Sequence, residues 1–205
     1  AARHITGHVD FMGLDLRVGR DSPLVAPHAR RLVELALRTC RGQSSGELVA
    51  AEIGTGCGAI ALALATLEPR FTRVYALDPV PAALETARAN GARYLMNLVI
   101  TWLEGASLAL VPEPVDVVVW GRIADVAAAR AATGWNVTEP AAHLAAAPRQ
   151  AQGALRPGGA LVGAVARAQQ PAIAALLGSA YPNAQVGFEP AGADLVIAVA
   201  LMPRD

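Results

Sequence analysis

Glu52 ends a short apolar run, and one residue later the chain reads Gly54-Thr55-Gly56-Cys57-Gly58. Glycines lack the Cβ that would block positive φ or keep a ligand away, so this loop presents bare backbone. The N–H groups opening a helix behind it can bind an electronegative group, either a phosphate or a carboxylate. About twenty-five residues on, VYALDP ends a second apolar run at Asp78, where a carboxylate can accept hydrogen bonds from ribose hydroxyls. Glycine turn plus acid indicates a nucleoside ligand. The spacing G-T-G-C-G is not the G-x-G-x-x-G of dinucleotide sites, which places a nicotinamide-dependent oxidoreductase well behind other nucleoside readings.

A second group of residues has the chemistry of an acceptor pocket. His28 stands at the start of a helical pattern, as a base at a pocket mouth or as an ordinary helix-start residue. Trp120 ends a strand and either stacks on a ring or packs in the core. Arg122 either binds an acidic group or opens the next helix in solvent, and His143 lies in a loop suited to covering a pocket. Cys40 and Cys57 are too few for a zinc motif or a disulfide framework, and both are expected to be reduced thiols, with Cys57 filling the loop. No metal is expected.

These residues need a rigid frame. Residues 49–53 suit a central parallel strand, apolar on both faces, with a helix from Ala59 to a stop near Pro69. VYALD is the next strand, PVPAALETARANGARY a helix, LVITWLEGASLAL a third strand and residues 115–119 a fourth. ADVAAARAATG and PAAHLAAAPRQAQGAL read as helices around the loop GWNVTEPAAH; RPGG then turns the chain into the strand ALVGAVA. A helix over 170–177 and the antiparallel pair VGFEP and ADLVIAVAL finish the chain. Ahead of all this, HVDFMGLDLRV alternates as a short hairpin, and DSPLVAPHARRLVELALR enters a helix through Pro27. Strand and helix alternating predicts a parallel sheet with right-handed crossovers and a ligand at its carboxyl edge.

Bulk properties narrow the partners. A length of 205 residues suits one domain. With 54% hydrophobic residues but only 4% aromatics, its core must be built from Ala, Val, Leu and Ile. Basic and acidic residues balance at 17 each, so the net field gives no reason to expect a nucleic acid. No apolar run approaches the roughly 20 residues that cross a bilayer. The start AARHITGHVD lacks a signal peptide's basic-then-apolar build, and a cytoplasmic location is expected.

EIGTGCGAIALALA followed by ALDPVPAALETARANGARY resembles the HemK-type class I S-adenosylmethionine-dependent methyltransferases, which modify the glutamine of peptide release factors. FMGLDLRVGRDSPLVAPHARRLVELAL and LRPGGALV are similar to that family's linker, first catalytic-domain helix and late strand motif. The resemblance implies a Rossmann-like α/β fold: a mostly parallel seven-stranded sheet with a reversed last strand and helices on both faces. It divides the chain into a hairpin or linker over 1–22 and a methyltransferase-like domain over 23–205. S-adenosylmethionine is the implied cofactor and S-adenosylhomocysteine its product. Glu52 then lies near the methionine end, Asp78 holds the ribose, and Gly54, Thr55, Gly56 and Gly58 form the loop; Gly105 and Ala106 lie by the adenine.

Departures from the pattern set the acceptor apart. The family has an aspartate where Ala106 stands, and an Asn-Pro-Pro-Tyr clamp for a planar amide where Trp120, Gly121, Arg122 and Ile123 stand, with Gly121 at the asparagine. His28, Ala29 and Arg30 replace polar and acidic residues beside Pro27, and the family's amino-terminal helical domain has no counterpart in this sequence. Together these imply a methyl acceptor that is a small molecule and not a release-factor glutamine, with His28, Trp120, Gly121 and Arg122 lining its pocket. The alternative is a catalytically inactive protein of the same fold, acting as a cofactor-binding or regulatory partner of another protein. No membrane contact is expected, and an oligomer is compatible with either reading.

Overall fold

The computed structural model describes residues 7–19, 25–42, 46–121, 151 and 153–204. It opens with a hairpin of β1 (His8–Phe11) and β2 (Leu14–Arg17), paired antiparallel with Phe11 opposite Leu14. The two turn residues, Met12 and Gly13, both have positive φ, 53° and 86°, the twist that joins right-handed strands through a two-residue loop. Alternation buries Val9, Phe11, Leu14 and Leu16 against the same core as the helices that follow.

Helix α1 (Ala29–Arg41) leads to β3 (Leu48–Ile53), α2 (Ala59–Leu67), β4 (Phe71–Asp78), α3 (Pro81–Arg93) and β5 (Ile100–Glu104). Beyond these come β6 (Val115–Trp120), β7 (Leu155–Ala166), α4 (Gln170–Ala180), β8 (Gln185–Pro190) and β9 (Leu195–Leu201). The main sheet has the order β5-β4-β3-β6-β7-β9-β8. Pairs among β3 to β7 are parallel, while β9 runs antiparallel to both β7 and β8 and is the reversed strand. This is the expected Rossmann-like architecture.

Strand periodicity divides the core into two layers. Ala50, Val74, Val117, Val119 and Val162 face α1, α2 and the hairpin. Ala51, Leu77, Val118, Trp120 and Leu161 face Ile173 and Leu177 of α4. All six residues of β3 are buried, and α2 buries every residue from Ala59 to Ala65, so small side chains let helix and sheet approach closely. From β3 the chain winds outward to β4 and β5, then crosses back to β6 on the other flank of β3. That reversal opens a crevice at the carboxyl ends of β3 and β6, where ligands bind in open α/β sheets.

Two expectations about elements are corrected. RPGG is not a turn before β7; it lies inside the strand, where the register jumps from Val115 opposite Leu155 to Val117 opposite Ala160. The glycines absorb that bulge: Gly158 has φ +74°, and a Cβ at Gly159 would meet the Arg156 carbonyl at 2.8 Å. The helix expected over 170–177 continues to Ala180. The helix ADVAAARAATG, the loop GWNVTEPAAH with His143, Arg122 itself, and the stretch 20–24 where the chain was divided lie outside the described residues. Among the described residues no helix is long and apolar enough to cross a membrane.

Candidate active site

Two buried carboxylates hold the glycine loop from below. Glu52, 1% exposed, accepts through Oε2 from the Thr55 hydroxyl at 2.7 Å and from the Ala61 N–H at 2.9 Å, which ties the loop to the first turn of α2. Asp78, fully buried, accepts from the Gly56 N–H at 2.8 Å and the Val80 N–H at 3.0 Å. Gly54 and Thr55 both donate to the Leu77 carbonyl, and Gly58 donates to Thr55. The N–H groups of Gly54, Thr55, Gly56 and Gly58 are thus turned inward, and among the helix-opening N–H groups expected to face a ligand, that of Ala61 is taken by Glu52. The loop is built by β4 reaching across to it, a long-range contact that its own residues do not announce.

The glycines themselves are largely covered, Gly54 half-buried and Gly56 and Gly58 buried. Gly54, Gly56 and Gly58 hold φ of 80°, 58° and 86°, a region costly to residues with a Cβ. At Gly56 a Cβ would meet nothing within 4 Å, leaving a cradle against which a flat or extended group can lie. At Gly58 it would press on Trp102 at 3.0 Å and Ala87 at 3.3 Å, so this glycine answers packing as well as conformation. The residues present therefore fit a nucleoside-bearing cofactor.

On the β5 side, Gly105 adopts φ +140° and donates to the Asp78 carbonyl at 3.0 Å. Ala106 beside it is exposed. The Ser107 hydroxyl oxygen accepts from the Ala109 N–H at 3.3 Å and caps a short turn.

On the β6 side the structure brings together His28 and Gly121. The ring Nε2 of His28 lies 3.2 Å from the Gly121 carbonyl, and His28 is 4% exposed. A Cβ at Gly121 would stand 3.2 Å from Ile60 Cδ1 and 3.9 Å from Glu52 Oε1, so Gly121 shares the crevice with Glu52. Trp120 does not join them. Successive residues of a strand point to opposite faces, and Trp120 packs with Leu161, Ile173 and Leu177 in the other layer, 7% exposed. Its expected place in the acceptor pocket is corrected to a packing role.

Sequence reasoning misses Asn90. It is 1% exposed, donates to the carbonyls of Cys57 and Arg17 at 2.9 Å each, and accepts from the Arg17 N–H at 2.9 Å. One side chain thereby ties hairpin, α3 and glycine loop together. The available signal is its position three residues after buried Ala87, on the apolar face of α3.

No family model matches the chain. It is 30% identical over 201 residues to the release factor glutamine methyltransferase of Deinococcus radiodurans, covering 90% of this chain and 68% of that protein. It is 38% identical over 107 residues to the protein of the same name from Moorella thermoacetica, covering 52% of this chain and 37% of the relative. The chain thus spans between about a third and two thirds of the length of these relatives. A methyltransferase from Pyrococcus furiosus has the same fold, with TM-score 0.68, 17% identity and coverage of 98% of this chain and 94% of that one. A ribosomal protein L11 methylase from Lactobacillus delbrueckii subsp. bulgaricus superposes with TM-score 0.64 at 20% identity, covering 86% of this chain and 80% of that one. Glycine loop, strand order and the Deinococcus identity agree: the chain belongs to the release factor glutamine methyltransferase family, the HemK type of class I S-adenosylmethionine-dependent methyltransferases.

Proposed function

We propose that this chain binds S-adenosylmethionine along its glycine loop and serves as a methyltransferase for a small molecule instead of a release-factor glutamine. Glu52 and Asp78 shape the loop, Gly54, Thr55, Gly56 and Gly58 form the surface for the cofactor, and Gly105 with Ala106 borders the adenine end. When bound, the cofactor supplies an already activated methyl group, so the protein's share of the work is alignment and exclusion of water.

The observation that carries the acceptor assignment is Gly121. A clamp for a planar amide needs a side chain there, yet even a Cβ would crowd Ile60 at 3.2 Å. A larger side chain there requires the Ile60 side chain to give way. Misplacing a nucleophile by about 1 Å costs roughly a hundredfold in rate, so glutamine methylation is expected to fall at least that far below a clamped site. Balanced charge supports the absence of a nucleic-acid partner, and a cytoplasmic setting belongs to the same proposal.

Calorimetry with S-adenosylmethionine, S-adenosylhomocysteine and NAD tests the cofactor assignment. Ala106→Asp should tighten binding of the first two about two- to tenfold by restoring an acceptor for the adenine amino group. Label from methyl-tritiated cofactor should then appear in a small-molecule extract and not in a glutamine-bearing release-factor peptide. Methylation of the peptide would overturn the acceptor assignment. Tight cofactor binding without any labelled product would instead support the non-catalytic partner role.

A further inference from the structure

Among the described residues, a single buried side-chain nitrogen or oxygen lacks a hydrogen-bond partner: Nδ1 of His28. The other ring nitrogen settles what kind of atom it is. Nε2 faces the Gly121 carbonyl at 3.2 Å, and a carbonyl has no proton to give. Nε2 therefore carries the hydrogen, and in the neutral ring Nδ1 keeps a bare lone pair. Native structures pair nearly all such buried acceptors, because leaving one empty forfeits its hydrogen bond to water. This lone pair matches a donor that the described residues do not supply.

Its position says what the donor belongs to. His28 rests on the residue just beyond the end of β6, and a Cβ built on that same residue would lie 3.9 Å from Glu52 Oε1. Through that carbonyl the histidine is held at the carboxyl end of β6, on the residue that itself borders Glu52. Its backbone is fixed there too: the His28 carbonyl accepts from Leu32 N–H at 3.1 Å, inside the first turn of α1.

We infer that the acceptor molecule carries a protic group, a hydroxyl or a neutral amine, and that His28 Nδ1 takes its hydrogen. This rests on the small-molecule reading above and names its substrate class. In the proton step the X–H bond of the acceptor breaks and its electron pair stays on X. The proton forms a new N–H bond at Nδ1, leaving an imidazolium whose Nε2–H still donates to Gly121. For a hydroxyl, that loss leaves on oxygen the electron pair that forms the new bond to carbon; a neutral amine already holds its pair, so its N–H bond breaks only as or after the N–C bond forms, and the proton then passes to Nδ1. His28 does for a hydroxyl or amine what an amide clamp cannot: it binds by the hydrogen that must leave.

The test uses the full chain labelled with ¹⁵N at histidine, with no cofactor added, and His28→Phe to assign the ring. NMR at neutral pH should show hydrogen on Nε2 and none on Nδ1. Phenol against anisole, and aniline against N,N-dimethylaniline, then serve as probes of matched shape with and without a donor. The protic member of each pair should move the Nδ1 resonance saturably and the methylated member should not; the preference for phenol over anisole should drop about five- to tenfold in His28→Phe. Hydrogen on Nδ1, an equal response to both members of a pair, or no response to either would overturn the assignment. Because no cofactor takes part, failure of S-adenosylmethionine binding leaves this result intact. Failure here beside tight cofactor binding removes only the role of His28.

Discussion

The two edges of the main sheet handle buried polar groups in opposite ways. At the amino edge, Glu113 accepts from the Tyr75 hydroxyl at 2.8 Å and pairs with Arg73 at 2.7 Å and Arg156 at 3.5 Å. Next to it, Asp116 Oδ2 accepts from the Val49 N–H at 2.7 Å and from Arg156 at 2.8 Å. Cations and anions there come from the protein itself, and the network closes. At the carboxyl edge, Glu52 and Asp78 are at least as deeply buried, and they accept from backbone N–H groups of the glycine loop and its flanks and from the Thr55 hydroxyl. That edge also holds the unpaired nitrogen of His28. A closed network fastens strands; an edge with an acceptor to spare is arranged around something that arrives.

Breaking the closed edge should have the largest effect on folding and the least on binding. Asp116→Ala leaves the Val49 N–H buried without its acceptor and leaves Arg156 with only the longer contact to Glu113 at 3.5 Å. Loss of a charged, mostly buried partner of this kind costs about 2–4 kcal/mol. Urea denaturation should show that drop, while the affinity for S-adenosylhomocysteine at the other edge stays within about twofold of wild type.

Gly58→Ala sharpens the contrast from the open side. The new methyl group must adopt φ near +86° and meet Trp102 at 3.0 Å, which together cost about 1–3 kcal/mol. Here stability and binding should fall together, because the same backbone forms the start of α2 and, in the function proposed above, the surface for the cofactor. Equal loss of affinity in Asp116→Ala and Gly58→Ala would erase the distinction between the edges.

How much of this was legible depends on how local the cause is. The β3, loop and α2 unit could be read directly, since an all-apolar strand, a glycine turn and an alanine-rich helix each follow from neighbouring residues. The hairpin followed from alternation through Gly13. Long-range causes were not legible. RPGG reads as a turn by composition, yet the strand it belongs to is set by pairing with β6 and β9. Trp120 was a fair pocket candidate by residue type, but counting by twos from Gly121 places it on the other face, a step that strand periodicity already allowed. The inward turn of the loop N–H groups depends on the Leu77 carbonyl and the Asp78 carboxylate, more than twenty residues away. The sequence leads one to expect Cys40 as a reduced thiol; burial pushes it up to about 12, which keeps it protonated at neutral pH.

The smallest effect belongs to a third kind of polar contact, on the outer surface of α1. Arg38 and Arg31 both reach Glu189 of β8, joining the helix that begins at His28 to the edge strand. The hydrogen bond from Arg38, with help from Arg31, holds the Glu189 carboxyl below its usual range. Its folded pKa is thus below its unfolded one, so the contribution is present above the unfolded value near 4.5 and is lost as pH falls through the folded value. Both arginine side chains are more than a third exposed, so solvent and salt screen the clasp, and Glu189→Gln should cost no more than about 0.5–1 kcal/mol at pH 7. Thermal unfolding should show the difference between variant and wild type shrinking at pH 3 and again in 1 M salt. The His28 ring resonances should not move in that variant at neutral pH. If they do, the nitrogen at the open edge is set by a surface ion pair across α1, and the two edges of the sheet are not independent of the solvent-facing layer that covers them.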